Sequence, residues 1–149
     1  MKFYAKLAVV FFGLVYGGLG LMAHMCHAEE SYALQLFNQV NEERASQGLM
    51  PLRWSNDLEE VAEVRSEEAS VCWSHTRPDG RQWNTVNRKL QGGENLAYCL
   101  EGEEEEKIFV GWMNSPLHRD NILYSEFKTA AISTYTVDGE TYASLEFGY

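Results

Sequence analysis

The sequence predicts an α+β fold, with helices packed on a small antiparallel sheet. Three observations carry that reading. Apolar residues recur every three or four positions through much of the chain, as a helix buried on one side requires. The final third instead holds two runs rich in Thr, Tyr, Val and Phe, "KTAAISTYTV" and "ETYASLEFGY". Between them stands Asp138-Gly139, a pair that closes a two-residue hairpin.

The 149 residues divide near residue 28. Lys2 and Lys6 precede the apolar stretch "LAVVFFGLVYGGLGLM", and "MCHA" supplies small residues for cleavage before Glu29. That is the layout of a secretory signal peptide, so residues 1–28 are expected to be a leader and residues 29–149 one secreted domain. The alternative is an uncleaved anchor, for which the apolar run is slightly short. Cleavage removes two lysines and no acid, leaving 10 basic against 22 acidic side chains. Such a surface repels phosphate backbones and anionic lipids, which argues against nucleic acid and membrane as partners. A small ligand or an extracellular protein is the expected partner, and a monomer the expected state. Of four histidines only His75 and His118 remain, and of three cysteines only Cys72 and Cys99. In an exported chain that pair reads as a disulfide, with two buried thiols as the alternative.

"SYALQLFNQVNEERASQGL" predicts a helix with Ala33, Leu36, Phe37 and Val40 on one stripe, ended by Gly48. "MPLRW" is an extended link, because Pro51 discourages helix. Ser55 or Asn56 caps a second helix, with Glu59 placed to complete a capping box from Asn56. Its stripe runs Leu58, Val61, Ala62, Arg65, Ala69 and Cys72. "RPDG" stops it, leaving His75 on the core side of its end. "RQWNTVNRKL" predicts a short helical turn, and the paired glycines of "GGENLAYCL" mark a place where the backbone passes something closely. "EGEEEEKIFVGWMNS" predicts a helix that buries Ile108, Phe109 and Trp112. Its acids fall in the first turn, where the amide dipoles favour negative charge. "SPLHRDN" reads as a turn opened by Ser115 and Pro116.

Three segments, "CWSHTRPDG", "GGENLAYC" and "WMNSPLHRDNIL", carry one candidate ligand each: His75, Glu94 and His118. A Cys72–Cys99 bridge would draw the first two together, since each cysteine lies within five residues of one of them. His118 is the remaining imidazole free to join. Two imidazoles and a carboxylate can hold Zn2+ or another divalent ion with a position left open. The same carboxylate can instead fix an imidazole tautomer without metal, and both histidines can be structural.

These segments, with "NEERASQGLMPLRW" before them, resemble the CAP superfamily of cysteine-rich secretory, antigen 5 and pathogenesis-related proteins. They are most similar to its bacterial branch of SCP-like extracellular proteins, over Leu34 to Gly148. The resemblance implies an α-β-α sandwich with helices flanking the sheet around a shallow cleft. It places the family's cleft histidines at His75 and His118 and one glutamate at Glu94, with Ser115 and Asn95 beside them. A second family glutamate has no counterpart, Asn114 and Ser115 standing in that stretch. Leu117 replaces a usual glycine, and Ala130, Ala131 and Ile132 replace a Gly-x-Gly. The family is associated with lipid and divalent-metal binding and with disputed proteolysis.

The leading expectation is therefore a secreted module whose His/Glu cleft binds a lipid-like small ligand or a divalent ion, without catalysis. An alternative is an extracellular hydrolase, with Ser115 or Ser74 beside an imidazole, or with a metal-bound water. Another is an interaction module, which exposure of Trp73, Trp83 or Tyr98 near the cleft would favour.

Overall fold

The computed structural model describes residues 31–149, so the leader and its cleavage site lie outside the described residues. Helix α1 spans Tyr32–Ser46 and buries Leu36, Phe37, Val40 and Arg44. Ser31 caps it by accepting the Leu34 N–H, and Gly48 leaves it with φ +72°, as the sequence anticipates. "MPLRW" is more than a link. Arg53–Trp54 forms strand β1, whose flanking amides donate to Lys128 and Ala130. Helix α2 spans Asn56–Val71 and is capped by Ser55, whose hydroxyl accepts the Leu58 N–H at 3.3 Å. Glu59 completes no capping box and instead accepts the Trp54 indole N–H at 3.0 Å.

After a short 3-10 turn at Trp83–Thr85 come strand β2, Gly93–Leu100, helix α3, Glu104–Asn114, and helix α4, Pro116–Ile122. The segment expected as a turn is thus a seven-residue helix, with Pro116 at its first position where no N–H is needed. Strands β3, Thr129–Val137, and β4, Glu140–Gly148, form the hairpin, with Asp138 at φ 52° and Gly139 at φ 79°. Those positive values at both central residues are what a type I′ turn demands.

The sheet order is β1-β3-β4-β2. β3, β4 and β2 are antiparallel, but β1 lies parallel to β3, so the sheet is mixed rather than purely antiparallel. Strand alternation divides its faces. Ala130, Ile132, Ala143, Leu145 and Phe147 meet Leu36, Val40, Ile108, Trp112 and Ile122 in one apolar core beneath α1, α3 and α4. The opposite face, carrying Ala131, Ser144 and Glu146, lies beneath α2. Ala130 and Ala131 are both wholly buried. Among the described residues no helix is long and apolar enough to cross a membrane.

The alternation also settles the cysteines. Both thiols are free: Cys72 is exposed at the end of α2, and Cys99 is buried in the core on the other face of the sheet. On β2 it is Tyr98 that points toward the end of α2 and touches Trp73, so Cys99 points away from Cys72. The expected disulfide does not form.

The paired glycines do admit a close approach. A Cβ on Gly93 would lie 2.8 Å from the Phe127 ring, which is 4% exposed and stacked on Phe147. Gly93→Ala should therefore lower unfolding stability by about 1–3 kcal/mol, the usual cost of overpacking. Urea denaturation measures it, and an unchanged midpoint would contradict the packing described.

Candidate functional site

Arg65 lies on the inner face of α2 and is wholly buried. Its Nε donates to Glu94 Oε2 at 2.6 Å and its Nη2 to Glu94 Oε1 at 3.3 Å. Nη1 donates to Glu68 Oε2 at 2.7 Å, and Nη2 also reaches the Ser74 carbonyl at 2.9 Å. One guanidinium thus fastens α2 to β2 and to the loop that carries His75. The loop has a second tie. Arg77 grips Glu68 through Nε and Nη2, the shortest contact being 2.6 Å, and the Trp83 N–H donates to the His75 carbonyl.

His75 turns Nδ1 to Glu94 Oε1 at 2.7 Å while more than half of its side chain stays exposed. A carboxylate can only accept, so Nδ1 carries the hydrogen in the neutral ring, and Nε2 presents a lone pair. His75 and Glu94 do come together, but Arg65 and not a disulfide is what joins them.

Behind Glu94 stands a residue the sequence reading passed over. Glu146, directly opposite Glu94 in the β2/β4 register, is wholly buried and hydrogen-bonded to the Glu94 carboxylate. It also accepts from Gln91 Nε2 at 2.9 Å and from the Ser144 hydroxyl at 3.0 Å. Burial, reinforced by the Glu94 charge, pushes the Glu146 carboxyl well above the ordinary range, so it holds its proton and donates it toward Glu94. For Glu94 burial pulls upward too, but hydrogen bonds from His75, Arg65 and Glu146 outweigh it and keep its acid lowered. The environment therefore splits two stacked carboxyls into one neutral and one charged group. The signal was legible: Arg65 on a buried stripe needs a carboxylate, and Glu146 alternates with Leu145 and Phe147 toward the α2 face.

The other wall is α4. Arg44 of α1 donates to the Ile122 carbonyl at 2.7 Å and to Tyr124 at 3.0 Å, securing the C-terminal end of α4. Asn95 secures its middle, donating from Nδ2 to the His118 carbonyl at 2.9 Å and accepting from Asn121 Nδ2 at 2.9 Å. Asn95 is wholly buried, so it positions the His118 helix and does not line the cleft. His118 is half-buried, and burial together with the charge of His75 lowers its pKa, which favours the neutral ring.

The two histidines share one cleft with two lobes. A lobe of about 370 Å3 is lined by Trp73, Ser74, His75, Leu96 and His118. A lobe of about 470 Å3 contains Trp83, Glu94, Ser115 and Asn121 along with both histidines. Ser115 joins α3 to α4, but its hydroxyl neither caps α4 nor bonds an imidazole, and Ser74 accepts the Thr76 N–H. The three-ligand set His75, Glu94, His118 is not assembled as such: both Glu94 oxygens are engaged by Arg65 and His75. Among the described residues no three His, Cys, Asp or Glu side chains gather to hold an ion. What fits a metal here is a pair of imidazoles with Glu94 behind one of them, a carboxylate–imidazole arrangement. Trp73 and Tyr98 are half exposed, whereas Trp83 is partly buried.

Helices on both faces of a small mixed sheet, with a two-histidine cleft at its β2 edge, define a three-layer α-β-α architecture. Residues 37–147 match the family model for the cysteine-rich secretory protein family, CAP, and the chain belongs to that family. Among solved structures, an outer surface protein of Borrelia burgdorferi superposes with TM-score 0.64 at 19% identity, covering 77% of this chain and 90% of that one. An extracellular protein containing an SCP domain from Bacillus anthracis str. Ames gives 0.58 at 20% identity, over 76% of this chain but only 39% of that one. The structure of NaASP2 with Zn2+ gives 0.57 at 12% identity, covering 80% of each chain. At these identities the likeness carries the fold alone. No curated protein sequence matches the chain.

Two outcomes follow from the buried network. Arg65→Ala, which strands Glu94 without its counter-ion, should cost about 3–5 kcal/mol in urea unfolding, far above a surface substitution. The second concerns pH. Folded Glu146 keeps a proton that the unfolded chain releases in the ordinary carboxylate range, so stability falls as pH rises from that range toward the raised native value. Glu94 acts in the opposite window, its contribution being lost as pH falls below the ordinary range. Glu146→Gln should therefore flatten this decline as pH rises above the ordinary carboxylate range, by at most about 1.4 kcal/mol per pH unit. Thermal midpoints recorded across pH for both proteins test it, and parallel curves would refute it.

Proposed function

We propose that this CAP-family protein is an extracellular binding module whose cleft holds a small ligand, in its simplest form a divalent ion, between His75 and His118. One observation supports this above the rest: Glu94, itself fixed by Arg65, holds His75 Nδ1 at 2.7 Å and so turns Nε2 outward as a lone-pair donor. His118 faces the same cleft, and burial lowers its pKa, which favours the unprotonated ring that a metal requires. A divalent ion bound there would supply a positive centre for an anionic or carbonyl oxygen of a further ligand. Export is supported by the leader pattern, and a relative in fold was solved with Zn2+. Binding is favoured over hydrolysis because Ser115 shares the cleft yet pairs with neither imidazole.

Calorimetry with Zn2+ at neutral pH tests the proposal. Saturable binding should be abolished in His75→Ala and in His118→Ala. It should weaken about 10–100-fold in Glu94→Gln, the usual loss when a carboxylate behind a ligating histidine is removed. Binding that survives both histidine substitutions, or no binding at all, overturns the ionic form of the reading.

A further inference from the structure

On the α2 side of the sheet the helix ends at Val71 and leaves the last rungs of β2, which pair with the first residues of β4, uncovered by it. Tyr98 and Tyr142 face each other across that uncovered ladder, their rings 5.9 Å apart and 21° from parallel. Trp73 folds over them, 4.8 Å from Tyr98 at 72° and 6.2 Å from Tyr142 at 55°. With Glu140 these rings enclose a depression of about 250 Å3. Trp73 and Tyr98 are 50% and 53% exposed. Large rings left half in water by a chain with a full core elsewhere are the kind of patch that meets a ligand.

The chemistry of the walls specifies which. Aromatic rings carry negative charge on their π faces, and indole is the strongest aromatic partner for a cation. The Tyr142 hydroxyl donates to Glu140 Oε2, which pushes electron density into the phenol ring and leaves the carboxylate as a full negative charge beside it. Asp138, in the adjoining hairpin turn, adds negative charge near Tyr142 without lining the depression. Among the described residues no lysine or arginine lines the depression, and the whole chain carries a net charge of −10, which draws cations toward it. A bare divalent ion finds too few oxygens here. A neutral apolar group would cover the Glu140 charge without pairing it. A bulky, weakly hydrated organic cation satisfies both the rings and the acid.

We infer that Trp73, Tyr98, Tyr142 and Glu140 form a binding site for a trimethylammonium group, separate from the histidine cleft though bordered by the same Trp73. Such a group can belong to a free small molecule or to a choline lipid head group, and the two sources are separable.

The purified protein is titrated with choline and tetramethylammonium by calorimetry, and with 3,3-dimethylbutan-1-ol, the uncharged isostere of choline. The trimethylammonium ions should bind at least tenfold more tightly than the alcohol, with loss of at least tenfold in Trp73→Ala and in Glu140→Gln. Trp73→Phe, which keeps a weaker ring, should fall between wild type and Trp73→Ala. Binding to phosphatidylcholine vesicles, absent with phosphatidylglycerol vesicles and lost in both variants, identifies a lipid head group as the source. Binding of free choline alone identifies a soluble one. Equal binding of the uncharged alcohol, no effect of Glu140→Gln, or no binding in either form overturns the inference. Glu140→Gln should leave the Zn2+ titration unchanged, so this site and the histidine cleft can fail independently.

Discussion

The structure depends on one buried guanidinium. All three guanidinium nitrogens of Arg65 donate: two hydrogen bonds go to Glu94 on a strand, one to its helix neighbour Glu68 and one to the Ser74 carbonyl of a loop. A cation removed from water is tolerated only if it is surrounded in this way. Meeting that requirement draws Glu94 inward, brings the Ser74 backbone against α2, and delivers His75 to the carboxylate. The cleft's geometry is thus a by-product of neutralising a core charge. Glu146 extends the same logic: a second acid can occupy the neighbouring rung because it stays protonated there.

Much of the fold was legible because its signals are local. The hairpin follows from Asp138-Gly139 between β-rich runs, α1 from its stripe and Gly48, and α2 from Ser55 and the spacing of Leu58, Val61, Ala62 and Arg65. The misreadings arose where a tertiary partner decides. Arg53–Trp54 is a strand only because β3 passes beside it, and no two-residue pattern announces that. Glu59 had the spacing of a capping box, but the Trp54 indole offered it a hydrogen bond.

The site divides along the same line. His75 and His118 were visible because histidine is scarce in this chain, and Glu94 because its segment "GGENLAYC" carries a motif resemblance. Asn95 was placed in the cleft by its adjacency to Glu94, although a strand sends neighbouring residues to opposite faces, and it holds α4 instead. The cysteine pairing failed for the identical reason. Count and compartment suggested a bond, while alternation on β2 sent Cys99 into the core and Tyr98 toward α2. Roles exerted through the backbone, such as Arg44 on the end of α4, leave no pattern in composition or period at all.

That alternation gives β2 an unforgiving alignment. If β2 slipped by a single residue against β4, an amide would sit under the Arg65 fork and a carboxylate would be thrust toward α4. The stranded guanidinium would cost several kcal/mol, and the helix carrying His118 would lose its anchor. Edge strands are the members of a sheet most prone to mispairing, and β2 is one. The ion pair therefore penalises the shifted ladder and helps fix which residues of β2 lie beneath α2.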